Sequence, residues 1–396
     1  MAQHADNQGK SSKLPFIIGG VVVIIAAIAA LIAFVLGSQP APQPENSNET
    51  IVEQPNPEPQ PATGVKHIVV IGEDAWPGGS GSRSDLLMLM RVDFDNNVVH
   101  EVSIPRDTAY TWTDGSTIKA NQAYEYGGGA EAACQAVSTI TGVEVDDYVV
   151  VGFDGLQSIV DHFGGIDVDL PVSLDYHFYT NDYPDEHFEA GEQTLDPWRA
   201  MALSRARTGY DAHGLPQEMM RQIVDRQMLT TLIGYVFNSD DPTGTIQALA
   251  SFAKTSLSAD ELKSWSDGLF DGADLTVYGT TGPVDGSVDA TTKLWLVPYD
   301  AEAWSTLMGV VEAGGDPATS GITFTSTKTI DSAPINSTTV FTRQDAKPRC
   351  FLDPAFAGSI FMRQPICAPP PRYGSVPKPR FSLPQGNAEV MGAMLL

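Results

Sequence analysis

Acidic and basic side chains stand together at both ends of one apolar segment, "RSDLLMLMRVDFDNNVVHEVSIPRD" (83–107). Arg83 and Asp85 begin the segment, and Arg106 and Asp107 end it. A single Arg–Asp pair on a protein surface contributes only about 0 to 1 kcal/mol. Several converging guanidinium groups, however, repel one another unless a polyanion binds them, and paired carboxylates can hold a divalent cation. These residue types therefore predict a site for phosphate or pyrophosphate together with Mg²⁺.

A β-hairpin would bring the two ends of this segment together. The runs 85–93 and 98–104 have the apolar composition of strands, and the residues DNN at 95–97 favour a turn between them. Antiparallel strands joined in this way place their outer ends at one edge of the sheet. Asp74 follows another buried strand, "HIVVIG" (67–72), so we expect its carboxylate at the same edge.

Further arginines follow in "ALSRARTGY". Arg205 and Arg207 are two residues apart, which puts them on one face of a strand but about 200° apart on a helix. A converging pair therefore requires a strand or a distorted helix end. Arg221, in the following stretch, is another candidate for the same anion site.

Strand and helix patterns alternate from residue 65 to about residue 317. A helix is predicted over 127–142, a buried strand over 148–153, and a helix over 154–165 with Asp154 as its N-cap. A longer helical stretch covers about 216–238. This alternation predicts an α/β fold in which a central mixed sheet is flanked by helices.

The segment 173–193 is crowded with acids, tyrosines and two histidines. His177 and His187, beside Asp182 and Asp185, lack the spacing that metal-binding motifs use. We therefore predict a solvated surface loop without a metal.

The N-terminal region predicts a membrane anchor. Residues 14–36 form an uncharged apolar run long enough to cross a bilayer, and Lys10 and Lys13 before it predict a cytoplasmic N-terminus (1–13). A cleaved signal peptide is the competing interpretation, but its apolar region would be shorter. Residues 37–64 are Pro-rich and predict an extracytoplasmic stalk, and 318–396 predict a low-complexity tail.

Composition limits the classes of partner. Acids outnumber bases 49 to 23, which argues against a nucleic-acid-binding protein. Any phosphate chemistry must therefore depend on a local group of basic residues. Cys134, Cys350 and Cys367 would lie in an oxidising space and allow one disulfide, whose pairing the sequence leaves open.

The chain closely resembles the LytR-CpsA-Psr family over roughly residues 65–310, through a series of motifs in the same order and spacing. The motifs are "VIGED", "RSDLLMLMRVD", "VSIPRDTAY", "IKANQAYEYGGGAEAACQAV", "YVVVGFDGLQSIVDHFGGIDVDLP" and "AGEQTLDPWRAMALSRAR". The resemblance implies a single-pass, membrane-anchored extracytoplasmic phosphotransferase. Such an enzyme moves a glycopolymer from a polyprenyl-pyrophosphate carrier to peptidoglycan, or to a surface protein, through a phosphodiester link.

The resemblance also implies roles for individual residues. Asp74 and Asp85 match the acids that bind Mg²⁺ or Mn²⁺. The residues that match the pyrophosphate site are Arg83, Arg106, Arg205, Arg207, Arg221, Lys119 and Asn121. The expected catalytic set is Asp85, Arg106, Asp107, Arg205 and Arg207, with Asp107 as the acceptor of the hydroxyl proton. An apolar groove walled in part by helix 154–163 would hold the polyprenyl chain.

Three questions stay open at this stage. Either Arg221 or Arg226 in "MRQIVDRQMLTTL" can be the motif arginine of that helix. Ala75 and Trp76 stand where many family members have a polar residue or an arginine. Water in place of the acceptor would give a pyrophosphatase or phosphodiesterase, and a chain without turnover would be an envelope binding or regulatory protein; the intact set of arginines and aspartates argues against the last.

Overall fold

The computed structural model describes residues 59–74, 82–177, 185–270, 272–322 and 335–342. The strands are β1 (Val65–Glu73), β2 (Ser84–Asp93), β3 (Val98–Ser103), β4 (Ala109–Thr111), β5 (Thr117–Lys119), β6 (Asp147–Gly152), β7 (Ile166–Leu170), β8 (Leu174–Tyr176), β9 (Glu186–Phe188), β10 (Gly191–Leu195), β11 (Lys254–Thr255), β12 (Leu275–Thr281), β13 (Ser287–Val288), β14 (Trp295–Leu296) and β15 (Ser337–Phe341). The helices are α1 (Gln122–Gly127), α2 (Ala130–Thr141), α3 (Phe153–His162), α4 (Pro197–Arg205), α5 (Gln217–Phe237), α6 (Pro242–Ala250), α7 (Ala259–Leu269) and α8 (Ala301–Glu312).

The central sheet is mixed, as the sequence predicts. Its strand order is β11-β6-β1-β2-β3-β12-β15. The predicted hairpin is confirmed, because β2 and β3 pair antiparallel from Met88 opposite Ser103 to Asp93 opposite Val98. Asn97 in the turn has a positive φ of 51°, which asparagine tolerates better than most residues. β1 pairs antiparallel with β2 and parallel with β6.

Helices cover both faces of this sheet. Successive side chains of each strand point to opposite sides, so both faces carry apolar residues that the helices bury. Val69 on β1 faces the side covered by α2 and α8, where Val137 and Trp304 are buried. Its neighbour Ile68 faces the other side, where Phe237 of α5 and Leu269 of α7 pack. The predicted class, a sheet between helical layers, is confirmed for the described residues.

A second apolar cluster lies beside the sheet. It joins the ribbon of β7 and β10, the pair β8 and β9, and parts of α3, α4 and α5. The prediction that 173–193 is a surface loop is therefore wrong for β8, β9 and β10. These strands are too short to give a periodic pattern, but Leu174, Tyr176 and Phe188 are fully buried in the cluster.

Two predicted helix starts need correction. The helix predicted from residue 127 begins at Ala130, because Gly128 and Gly129 have positive φ values of 79° and 152° and separate α1 from α2. The helix predicted from residue 154 begins at Phe153 with Gly152 as its N-cap, so Asp154 lies in the first turn and is not the cap.

The folded domain continues past the predicted boundary at residue 317. β15 pairs antiparallel with β12 along Leu275–Gly279, and the Phe341 ring lies 5.7 Å from the Phe237 ring. Residues 337–341 of the predicted low-complexity tail therefore form a strand of the central sheet.

Several predictions concern residues outside the described ranges. The anchor (14–36), most of the stalk, Cys350 and Cys367 are among them. Cys134 is half-buried and has no disulfide partner among the described residues. No helix among the described residues has the length and apolarity needed to cross a bilayer.

Candidate active site

A cavity of about 480 Å³ lies between the central sheet and helices α3, α5, α6 and α7. It follows the direction of β1 and β2. At one end its lining is apolar and includes Val92, Trp265 and Phe270. At the other end, which we call the polar end, the charged lining residues are Glu73, Asp74, Asp85, Arg205, Arg207, Arg221 and Asp225. The cavity thus offers an amphipathic ligand both a charged end and an apolar interior.

The hairpin places Asp85 at the polar end, as predicted, and holds its carboxylate from two sides. Arg106 Nη1 donates to Asp85 Oδ2 at 2.7 Å, and Asn121 Nδ2 donates to Asp85 Oδ1 at 3.1 Å. Arg221 Nη2 donates to the Asp85 carbonyl oxygen at 2.8 Å. Burial alone would raise the pKa of Asp85, but the charges of Arg106 and Arg221 and these hydrogen bonds outweigh burial and lower it.

Asp74 sits in a different electrostatic environment. Burial and the nearby charge of Asp85 raise its pKa, although Arg205 and Arg106 act in the opposite direction. Its Oδ1 lies 3.5 Å from Arg205 Nη1. A cation beside the two carboxylates would relieve the effect of the Asp85 charge on the ionisation of Asp74.

The two arginines of "SRAR" converge because α4 ends between them. Arg205 is the last helical residue, and Ala206 has extended backbone angles (φ −66°, ψ 119°), so the chain turns Arg207 back toward the cavity. The alternative of a distorted helix end is therefore confirmed. Arg205 Nε donates to Tyr176 Oη at 3.3 Å, and its guanidinium lies 4.6 Å from the centre of the Phe153 ring.

Helix α5 resolves the ambiguity between its two arginines. Among the described residues that line the cavity, α5 contributes Arg221 but not Arg226. Arg226 instead donates to Ser103 Oγ at 2.9 Å and to the Ile335 carbonyl at 2.7 Å. Arg221 is therefore the arginine of the polar end, whereas Arg226 fastens α5 to the sheet.

Sequence reasoning missed Glu218, which lies between two of the predicted arginines. Its carboxylate accepts a hydrogen bond from Arg221, and Glu218 Oε2 lies 3.5 Å from Arg106 Nε. Asp85, Arg106, Glu218 and Arg221 thus form a ring of alternating acids and arginines, closed by the hydrogen bond from Arg221 to the Asp85 carbonyl oxygen; we call it the acid–arginine ring. Glu218 precedes Arg221 by three residues, a helical pairing distance that marks this contact in the sequence, but nothing local indicates Arg106.

Asp225 is a second missed residue. It lines the cavity, and its Oδ2 lies 3.5 Å from Arg221 Nη1. Burial raises its pKa to about 7, with the charge of Glu218 adding to the effect and that of Arg221 opposing it. Asp225 therefore titrates near neutral pH.

The remaining predicted residues surround the polar end without lining the cavity. Lys119 Nζ lies 2.7 Å from Asp107 Oδ1, and Arg106 Nε lies 3.9 Å from Asp107 Oδ2. Arg83 is 57% exposed and contacts Glu125 at 3.4 Å. Lys119 thus supports Asp107, while Asn121 supports Asp85. Ala75 and Trp76 lie outside the described residues.

The charges at the polar end fit a divalent cation that binds together with a phosphate ligand. The acids Asp74, Asp85, Glu218 and Asp225 face the bases Arg106, Arg205, Arg207 and Arg221. Asp85 and Glu218, whose pKa values are lowered, already take up part of the arginine charge, so a cation would help to compensate the charge of a bound pyrophosphate. Mg²⁺ commonly uses one or two protein carboxylates and completes its shell with phosphate oxygens and water, which suits Asp74 and Asp85.

No cluster of three or more metal-ligating side chains occurs in the described part of the chain. The histidines of 173–193 make ion pairs instead: His177 with Asp185 at 2.8 Å, and His187 with Asp175 at 2.7 Å.

A family model and two curated relatives identify the proteins that this chain resembles. The model of the LytR_cpsA_psr family matches residues 37–299. The TagV polyisoprenyl-teichoic acid–peptidoglycan teichoic acid transferase of Bacillus subtilis is 34% identical over 164 residues, or 41% of each chain. The TagU transferase of Bacillus anthracis is 32% identical over 223 residues, which cover 54% of this chain and 68% of that protein. The TagV alignment thus spans less than half of that relative.

Solved structures share the fold. The crystal structure of Bacillus subtilis TagV aligns with a TM-score of 0.52 at 23% identity, covering 64% of this chain and 98% of that one. A structure of TagT bound to LIIa-WTA aligns with a TM-score of 0.50 at 16% identity, covering 63% of this chain and 91% of that one. At these identities the likeness concerns the fold alone.

Proposed function

The chain belongs to the LytR_cpsA_psr family, and we propose that it is a phosphotransferase that links a glycopolymer to peptidoglycan. Its donor is a glycan carried on polyprenyl pyrophosphate. Its product is a phosphodiester between that glycan and an acceptor hydroxyl. The curated relatives, which are polyisoprenyl-teichoic acid–peptidoglycan teichoic acid transferases, support this reaction class.

The observation that carries the proposal is the continuity of the cavity. Its apolar length is lined by residues such as Val151, Met228 and Leu249, and it runs without interruption to the arginines of the polar end. A polyprenyl chain is apolar throughout and ends in a pyrophosphate, so it matches both parts. A soluble nucleotide or sugar phosphate would leave the apolar part exposed to water.

The arginines position and stabilise the reacting phosphates. Arg205, Arg207 and Arg221 line the polar end, and the acid–arginine ring fixes Arg106 beside Arg221. Fixed donors of this kind stabilise the charge that develops when the phosphoryl group is transferred. They also align the attacking and leaving oxygens, which lie roughly in line with phosphorus.

The covalent step exchanges one P–O bond for another. The acceptor oxygen bonds to the phosphorus that carries the glycan, and the bond from that phosphorus to the bridging oxygen breaks. The electron pair leaves with polyprenyl phosphate. Asp107, held by Lys119, accepts the proton of the hydroxyl.

Asp74 and Asp85 are the residues that would hold Mg²⁺ or Mn²⁺. When bound, the cation neutralises phosphate charge and polarises the P–O bonds. Arg106 and Asn121 donate to the two oxygens of the Asp85 carboxylate and orient it.

The proposed location follows from the family and from the apolar run at the N-terminus. We place the chain in the cell membrane through residues 14–36, with the catalytic domain outside the cytoplasm. A membrane-bound position gives the domain access to a lipid-linked donor.

To test this, the full chain in detergent is incubated with a short-chain polyprenyl-pyrophosphate glycan, Mg²⁺ and peptidoglycan fragments. We expect a phosphodiester-linked product in mass spectrometry, its loss with a chelator, and a decrease of about 10² to 10³ in kcat for Arg106→Ala. Arg199→Ala is the control, because Arg199 pairs with Glu186 and with the Phe188 ring, away from the cavity.

Two results would overturn the assignment of the site: full activity of Arg106→Ala, or wild-type turnover that a chelator does not change. Release of polyprenyl phosphate without a new glycan bond would instead identify a pyrophosphatase.

A further inference from the structure

The lining of the cavity distinguishes two sides of the polar end. Its residues come from β1, β2, β3, β6, β8, β11 and β12, from helices α3 to α7, and from the segments next to them. None of the described residues from 100 to 148 lines it. That part of the chain nevertheless reaches the polar end, through Arg106 and Asn121. It therefore forms the side of the polar end that faces away from the lipid cavity.

Helix α1 is the element that closes this side. Asn121 at its N-cap donates to Asp85, and Tyr124 Oη donates to Glu73 Oε1 at 3.1 Å. Glu125 pairs with Arg83. The next residue, Tyr126, turns away from the cavity and is 53% exposed. Tyr126, on the outer face of α1, is thus adjacent in sequence to Glu125, which pairs with Arg83 of the proposed site.

Tyr126 and Trp112 form an aromatic surface on this outer face, which we call the aromatic platform. Their ring centroids are 6.0 Å apart with an interplanar angle of 82°. Trp112 is held in place by the buried Tyr110 ring at 6.3 Å and by close packing against Gly127. These contacts support Trp112 from two sides and leave the Tyr126 ring open to solvent.

The surroundings of the platform suit a hydroxylated ligand. The residues of the β4–β5 turn that flank Trp112 are exposed, and apart from Asp114 they are uncharged: Thr111, Thr113, Gly115, Ser116 and Thr117. Hydroxyl groups both donate and accept hydrogen bonds. Pyranose rings combine an apolar face, which packs on aromatic rings, with a rim of hydroxyls. Tyr and Trp are also the side chains that most often anchor binding surfaces.

We propose that the aromatic platform binds the acceptor glycan strand and brings its hydroxyl to the phosphorus; this rests on the proposed phosphotransfer. In-line displacement requires the attacking oxygen to approach from the side opposite the leaving group. Polyprenyl phosphate leaves toward the cavity, so the acceptor enters from the side of α1. Asp107, the proposed proton acceptor, belongs to the same part of the chain.

The first test measures binding without a donor. Isothermal titration calorimetry of the full chain in detergent uses soluble, lipid-free strands of alternating N-acetylglucosamine and N-acetylmuramic acid. We expect Tyr126→Ala to weaken binding about tenfold and Tyr126→Phe to leave it nearly unchanged. Val340→Ala is the control, since Val340 is 52% exposed on β15, the last strand of the central sheet. Equal binding by wild type and Tyr126→Ala, or equal weakening by Val340→Ala, would overturn the proposal.

The second test separates the acceptor from the donor. In Tyr126→Ala we expect KM for the glycan strand to rise about tenfold, while the Kd for the lipid-linked donor and the slow release of polyprenyl phosphate to water stay unchanged. Weaker donor binding in this variant would assign the platform to the donor and overturn the proposal. If the wild-type chain forms no phosphodiester, the proposed function fails, yet the calorimetric result still decides whether the platform binds glycan.

Discussion

Glu218 is the residue whose position most changes the description of the arginine cluster. Its carboxylate neutralises part of the charge of Arg106 and Arg221 before any ligand arrives. Burial would raise its pKa, but the charges of these arginines lower it, so Glu218 stays ionised at neutral pH. The carboxylate therefore has two opposing effects: it orients the arginines, and it competes with phosphate for them.

Glu218→Gln tests both effects in one variant. Without the negative charge, we expect inorganic pyrophosphate to bind roughly tenfold tighter, because it no longer competes with a carboxylate. We expect kcat for transfer to fall about tenfold, because a neutral amide holds Arg106 and Arg221 less firmly. Calorimetry with pyrophosphate and steady-state kinetics measure the two changes.

Glu192→Gln is the matched control, because Glu192 is exposed on β10. It should alter neither quantity. Weaker pyrophosphate binding with unchanged kcat in Glu218→Gln would mean that the carboxylate does not act through the arginines.

Among the elements, α5 contacts more of the proposed site than any other described helix, and it is anchored to the sheet by buried polar groups. Glu101 of β3 accepts a hydrogen bond from Thr230 at 2.8 Å and is fully buried near Arg226. Burial raises the pKa of Glu101 to about 8, although Thr230 and Arg226 lower it in part. The carboxyl group is therefore protonated in the folded state over much of the neutral range.

This raised pKa predicts the direction in which stability changes with pH. The unfolded chain ionises Glu101 near its ordinary value of 4.5, and the folded chain ionises it only near 8. Stability from the protonated form is complete below the unfolded pKa and is lost as the pH rises through the folded pKa. We expect Glu101→Gln, which cannot ionise, to match the wild type at pH 4.5 and to exceed it at pH 8.5 by on the order of a few kcal/mol.

Chemical denaturation at the two pH values measures the difference. Glu192→Gln again serves as the control and should follow the wild-type curve. A constant difference between Glu101→Gln and wild type at all pH values would contradict the raised pKa.

The elements also show what the sequence predicts well. The β2–β3 hairpin follows from two apolar runs and a turn, and it brings Asp85 and Arg106 within 2.7 Å as predicted. The apolar runs and the turn that predict this hairpin all lie within one continuous segment of the sequence. The end of α4 between Arg205 and Arg207 was one of two alternatives, because two-residue spacing alone does not distinguish a strand from a broken helix.

Tertiary contacts explain what the sequence does not predict. β15 is short and mostly polar, and it becomes a strand because β12 offers an unpaired edge and Phe237 a surface for Phe341. Glu218 meets Arg106 only because α5 packs against the loop after β3. Such contacts join distant segments and leave no periodic signal within either of them.

At the scale of the whole molecule, the positions of the arginines and of the apolar cavity suit the binding of an anionic lipid. The formal net charge of −26 repels anions at long range, but screening limits this effect to about 8 Å at physiological ionic strength. Binding of an anion must therefore depend on the arginines at the polar end. The apolar cavity adds the larger attraction, since burying apolar surface contributes about 25 cal/mol per Å².

The cavity therefore predicts a dependence on lipid length that the arginines alone would not produce. Leu249→Trp fills part of the apolar lining from α6, a helix without fully buried residues that can accept a larger side chain. We expect KM for a long-chain polyprenyl-pyrophosphate donor to rise at least about tenfold, because the chain loses buried apolar surface. The variant should use a donor with a two-isoprene chain as well as the wild type does, since the pyrophosphate of that donor still reaches Arg205 and Arg221.

Gln247→Trp, on the exposed face of the same helix, controls for the added tryptophan and should affect neither donor. Equal KM changes for the two donors in Leu249→Trp would place the polyprenyl chain elsewhere on the molecule.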